Sequence, residues 1–125
     1  AYADLASACL DHGDADEALL AAEKGLALAR AIEVPYGTGY ALTARARVLK
    51  ALGRLDDACH NLEEAIAIHR QAGHAHLMAR ALAVLANVLQ TQGQTQQAQT
   101  VLKEALDVLH SLNLDAEAAS LQTTR

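Results

Sequence analysis

Apolar residues recur along this chain at intervals of three and four, which is the signature of one face of an α-helix. Leu42, Ala46 and Leu49 stand at i, i+4 and i+7, and Gly53 follows them. Beyond that glycine, Ala58, Leu62, Ala65, Ile66 and His69 repeat the same helical spacing. Extended over the chain, the pattern predicts helices at about 1–12, 15–32, 36–52, 55–72, 75–92 and 95–111. A shorter helical segment near 115–122 opens at Asp115, a residue suited to an N-cap. Acidic residues follow two of the turns (Asp14, Asp16 and Glu17; Asp56 and Asp57), where a helix N-terminus favours negative charge.

The pattern also repeats on a larger scale. Gly13, Gly53 and Gly93 are 40 residues apart, and an Ala follows each by five positions: Ala18, Ala58 and Ala98. At the same offset Ala6, Ala46 and Ala86 correspond, as do Cys9, Leu49 and Leu89, and Leu26, Ile66 and Leu106. Gly25, Ala65 and Ala105 form a further set of small residues. Each unit is therefore a helix–turn–helix pair, with repeats at about 1–34, 35–74 and 75–114 and a partial helix or cap at 115–125. One helix pair cannot bury both of its faces, so the pairs must stack, and the whole is expected to be a single domain.

Composition narrows the class of fold. Apolar residues make up 52% of the chain but aromatics only 2%, with no Trp or Phe. Such a core is built from Ala and Leu, strong helix formers, whereas the β-branched and aromatic residues of sheets are scarce. The expectation is an all-α chain. The single proline, Pro35, falls in the link between the first and second repeats.

Charge and cysteines bound the partners. The net charge of −5 argues against general binding to nucleic acid or to anionic membranes. No apolar run approaches the length of a membrane span. Two cysteines, Cys9 and Cys59, make no disulfide framework, so a reduced, cytoplasmic setting is expected. The chain opens without Met and inside a helical pattern, and it reads as a piece of a longer protein.

A small residue in the first helix, a Gly-x-x-x-x-Ala turn and a small–large pair in the second helix resemble the tetratricopeptide repeat. Ala46, Gly53, Ala58, Ala65 and Ile66 take those roles here, with their counterparts in the other two units. The resemblance spans essentially the whole chain and implies a right-handed α-solenoid. Two features depart from the common pattern: a 40-residue period in place of 34, and Leu, Cys or Ala at the large aromatic positions, apart from Tyr2. The long period is similar to that of kinesin light chains, bacterial signalling ATPases and transcriptional activators.

The resemblance further implies that the first helix of each repeat lines a concave groove. Opposite Leu42, Ala46 and Leu49 the second repeat carries Tyr40, Thr43, Arg47 and Lys50; the third carries Arg80, Ala83, Asn87 and Gln90. Ser7, Arg47 and Asn87 are equivalent and would form a polar ladder. Arginine can grip a carboxylate through two N–H groups, and asparagine can both donate to and accept from a peptide backbone. The expected ligand is a peptide or protein segment of acidic character, and the expected role is an interaction scaffold, the sensor or regulatory part of a bacterial signalling or transcription-regulating protein. An assembly role, with the solenoid ends stacking on other copies, is the alternative. Arg45 breaks the register, because Leu5 and Leu85 are its equivalents. Its stem is expected to pack while its head reaches solvent or a carboxylate, the other reading being a place in the basic groove.

Other chemistry is thin. Cys59, His60, His69, His74 and His76 invite a zinc site, yet Cys59 lies within a helix and only the last two histidines lie near a loop. No nucleophile–base pair accompanies Ser7, Ser111 or Ser120, and Gly37-Thr38-Gly39 lacks the lysine and the preceding strand of a phosphate loop. Neither a catalytic function nor a cofactor is expected.

Overall fold

Every described helix starts and stops within one residue of where the apolar spacing puts it. The computed structural model describes residues 14–114, 117–119 and 121. In chain order these form α1 (Ala15–Ile32), α2 (Pro35–Ala51), α3 (Leu55–Ala72), α4 (Ala75–Thr91) and α5 (Thr95–Ser111). The described residues at 117–119 and 121 are also helical. The helix expected at 1–12 and the cap expected at Asp115 lie outside the described residues.

The ends of the helices follow from local chemistry. Asp14 caps α1, its carboxylate Oδ1 accepting from the backbone N–H of Glu17 at 3.1 Å. Pro35 belongs to α2 as its first residue rather than to the link before it. There its missing N–H costs nothing, and its fixed φ suits the helix. The first helices of the second and third repeats end at Gly53 and Gly93, both at positive φ. The second helices end in a left-handed residue as well, and these fall at Glu33, Gly73 and Asn113, again 40 apart. Each is followed by the same closing bond, from Val34 to Ala29, His74 to His69 and Leu114 to Leu109. Only one of these three positions is glycine, which is why the sequence did not display them as a set.

Stacking buries the small-residue faces. Leu42, Ala46 and Leu49 of α2 share one core with Leu62, Ala65 and Ile66 of α3 and with Leu82, Leu85 and Leu89 of α4. Ala18, Ala46, Ala58, Ala65 and Ala79 are wholly enclosed, because alanine lets neighbouring helices approach closely. Burying a leucine such as Leu42, Leu49 or Leu62 contributes roughly 2 kcal/mol each, so packing rather than propensity sustains these helices of four to five turns.

The second helices are also linked along the outer surface by a repeating ion pair. Arg30 of α1 meets Glu64 of α3 at 2.8 Å, and Arg70 of α3 meets Glu104 of α5 at 2.8 Å. The 40-residue period carries the first pair onto the second.

Candidate binding groove

The groove is assembled from the first helices of successive repeats. Tyr40, Thr43 and Arg47 project from α2, and Arg80 projects from α4, one repeat on from Tyr40. The four line one cavity of about 290 Å³ together with Glu117 and Leu121. His69 of α3 and Leu109 of α5, equivalent residues from the second helices, also contribute to its lining.

The local structure explains how these side chains are held. The Thr43 hydroxyl donates to the Gly39 carbonyl at 3.0 Å, one turn back, which orients its methyl group. Tyr40 stacks on Tyr36, with ring centroids 6.3 Å apart and planes nearly parallel. Tyr36 in turn meets His74 edge-on. Arg47 and Arg80 are exposed, so their guanidinium groups are open to water. Glu117 is engaged by His76, whose Nε2 lies 2.9 Å from its Oε2. One carboxylate therefore lines the same cavity as two guanidinium groups.

Beneath them His69 is almost wholly buried. Its ring lies against Gly39, so close that a Cβ on Gly39 would overlap it. Its Nδ1 is buried without a hydrogen-bond partner, as is Nδ1 of His74. Burial, with the neighbouring His74, holds the His69 imidazole below the usual histidine pKa. It therefore packs as a neutral ring.

The remaining sequence-predicted residues lie elsewhere. Asn87 and Gln90 line a second cavity of about 330 Å³ between α4 and α5, which Ala83 and Leu121 share with the first. Lys50, in the last turn of α2, lines neither. Ser7 lies outside the described residues. Arg45 turns away from the groove. Its Nη1 donates to Asn61 Oδ1 of α3 at 2.9 Å, and its Nη2 stands 3.9 Å from Glu23 of α1. With its side chain one-fifth exposed, it ties three helices together with a packed stem, as its register position implies. Sequence reasoning missed His69 and Glu117 as lining residues. The repeat register offered a signal for His69, whose equivalents are Ala29 and Leu109.

The cysteine and histidines weighed as metal ligands go separate ways. The Cys59 thiol donates to Gln92 Oε1 at 3.6 Å, and burial together with Glu63 and Asp56 raises its pKa. His74 packs on Tyr36 and His69, whereas His76 reaches Glu117. Among the described residues no three His, Cys, Asp or Glu side chains converge, and no helix is long and apolar enough to cross a membrane.

The tetratricopeptide repeat model matches residues 38–110, more than half of the chain. The chain belongs to the tetratricopeptide repeat family. Among solved structures, the apo form of RapI superposes with a TM-score of 0.84 at 16% identity, over 93% of this chain and 42% of that one. BtubC (BKLC) from P. vanneervenii superposes with a TM-score of 0.81 at 23% identity, over 94% of this chain and 48% of that one. At these identities the likeness speaks for the α-solenoid fold alone, and the chain spans less than half the length of either protein. No curated protein sequence matches it. Tetratricopeptide repeats as a class mediate protein–protein interaction, and that coarse role is what membership conveys.

Proposed function

We propose that this tetratricopeptide domain binds an extended, acidic segment of a partner protein along its concave groove. The observation that carries the proposal is the gathering of Tyr40, Thr43, Arg47 and Arg80, from two different repeats, around one cavity of about 290 Å³. A space of that size takes a few side chains of a peptide rather than a folded domain. Two exposed guanidinium groups supply planar, paired donors for carboxylates, and the Tyr40 ring supplies a flat apolar surface beside them. Glu117 repels a second carboxylate beside it, so the preferred segment carries its acidic residue toward Arg47 and Arg80. Asn87 and Gln90, one cavity further on, are placed to meet a longer ligand through its backbone. Lys50 and, by its repeat register with Arg47, Ser7 belong to the same proposed basic and polar set. The domain would act as the sensor or regulatory module of a bacterial signalling or transcription-regulating protein in the cytoplasm, and the groove would be where its signal is received.

The test uses an array of extended peptides that differ only in acidic content, with the intact chain as analyte. Acidic peptides should be retained, and Arg47→Glu with Arg80→Glu should reduce their affinity at least tenfold. Equal retention by the doubly reversed chain would refute the reading.

Self-assembly through the solenoid ends is the second reading. Leu20, Leu28 and Ile32 of α1, each more than half exposed, offer apolar surface for contact between copies. Sedimentation velocity over a hundredfold range of concentration separates the two: assembly predicts a rising sedimentation coefficient, and the groove alone predicts a constant one.

A further inference from the structure

Packing alone does not call for a histidine at position 69. In the third repeat the same place between first and second helix is taken by Ala79 and Leu109, both enclosed. In the second repeat it is taken by Gly39 and His69. The imidazole there is only 1% exposed, and it fits because Gly39 has no Cβ to meet it. What the histidine adds is a polar atom, its Nδ1, buried and without a hydrogen-bond partner. A neutral imidazole carries one N–H and one lone pair. The buried nitrogen is therefore a donor lacking an acceptor or an acceptor lacking a donor, and either condition destabilises the fold.

The ring that carries this atom lines the groove. His69 shares the cavity of about 290 Å³ with Arg47 of α2, Arg80 of α4 and Glu117, and His76 holds Glu117 at 2.9 Å. At the N-cap of α4, the His74 ring lies 5.9 Å from that of His69 and meets Tyr36 of α2 edge-on. Tyr40 of α2 also lines the cavity, and α5 contributes only the apolar Leu109. Burial and His74 together keep the imidazole neutral in the free domain. An entering carboxylate reverses that balance, because a close opposite charge favours the protonated form. In that form both ring nitrogens are donors.

We infer that His69 is the proton-accepting floor of the groove: a carboxylate of the bound segment draws a proton from solvent onto the imidazole and pairs with it, so the ligand binds with proton uptake. The inference rests on the proposed acidic ligand and adds the regulation of that site by pH. Arg47 and Arg80 attract a carboxylate without titrating, whereas His69 responds to one. The free domain holds the His69 proton only below the ordinary histidine value near 6.5, and the complex holds it at a higher pH. Affinity therefore rises as the pH falls through that interval and levels off on either side of it. Aspartates of the ligand, with ordinary values near 4, stay ionised throughout.

The probe is a blocked, extended peptide of Asp, Gly and Ser, titrated into the intact chain by calorimetry between pH 7.5 and 5.5. Affinity is expected to rise roughly fivefold or more across that range. Midway, MES and bis-Tris buffers should give different binding heats, because one of them must supply the proton. Gly39→Ala with His69→Leu copies the Ala79–Leu109 pair of the third repeat and should abolish both effects. His74→Gln and His76→Gln should leave both in place. Should the double variant lose its helical circular dichroism or its binding, the His69 Cε1–H resonance of the intact chain decides instead: peptide must raise its titration midpoint. Affinity indifferent to pH, proton uptake that survives without His69, uptake that disappears with His76→Gln, or an unmoved His69 midpoint each overturns the inference and leaves the acidic-segment reading standing. No binding of the peptide at either end of the pH range overturns both.

Discussion

The second and third repeats solve the same packing problem with different residues, and the contrast shows which positions the fold specifies tightly. At one contact between the first and second helices, the third repeat pairs Ala79 with Leu109, both enclosed. The second repeat pairs Gly39 with His69. The ring is flatter and broader than a leucine, and it fits only because its neighbour has no Cβ. At the joints between repeats the contrast recurs. Leu19 and Leu52 pack around Val48 in one joint, whereas Cys59, Gln92 and Asp56 form a hydrogen-bonded set in the next. Arg45, tied to Asn61 and close to Glu23, stands where the third repeat has the buried Leu85. A solenoid needs each joint to be filled and its polar atoms satisfied, and either an apolar or a polar set can do so.

The largest effect should come from breaking the Gly39–His69 fit. Gly39→Ala forces the imidazole aside and should cost about 2 kcal/mol in chemical denaturation, despite the better helix propensity of alanine. Adding His69→Leu reproduces the Ala79–Leu109 pair and should restore stability to the wild-type level or above. A double variant no better than Gly39→Ala alone would show that the two repeats are not interchangeable at this contact.

The same ring sets a pH dependence that the third repeat lacks. The folded-state pKa of His69 is depressed by burial and by His74, so the unfolded chain binds the proton more readily. Its stabilising contribution is full above the ordinary histidine value near 6.5 and falls as the pH drops below it toward the folded-state value. Unfolding measured between pH 7.5 and 5 should show that decline, and His69→Leu should flatten it.

Replacing Arg45 sharpens the comparison at the helix junction. Arg45→Ala should destabilise by about 1 kcal/mol, through the lost stem packing and the lost bond to Asn61. Arg45→Leu, which copies the third repeat, should lose less in the same unfolding measurement.

Glu33 and Gly73 offer a smaller test. Both hold the left-handed position after a second helix, but only Gly73 adopts it without strain. Glu33→Gly should raise the stability by roughly 0.5–1 kcal/mol, after allowance for the greater freedom of glycine in the unfolded chain. The smallest effect belongs to the outer ion pairs. Arg30–Glu64 and Arg70–Glu104 are about half exposed, and double-mutant cycles should find no more than about 0.5 kcal/mol for either, decreasing with added salt.

Much of this protein was legible from a single chain. Among the described residues, the helix limits and the 40-residue repeat follow from the spacing of Leu42, Ala46 and Leu49 and their counterparts, because a helical face and a left-handed glycine are local properties. The register also marked Arg45 as an exception before any contact was visible. Tertiary structure decided what local spacing does not encode. Arg47 and Arg80, from adjacent repeats, border one cavity, whereas Asn87, equivalent to Arg47, borders another. That division depends on where each helix pair rotates against the next. It likewise took the stacked helices to show that His69 lies against Gly39 and that Leu102 is left half-covered where Leu62 is buried. Sequence determines which face of a helix is apolar; only the neighbouring repeat determines how much of that face is covered, and a site forms from what remains open.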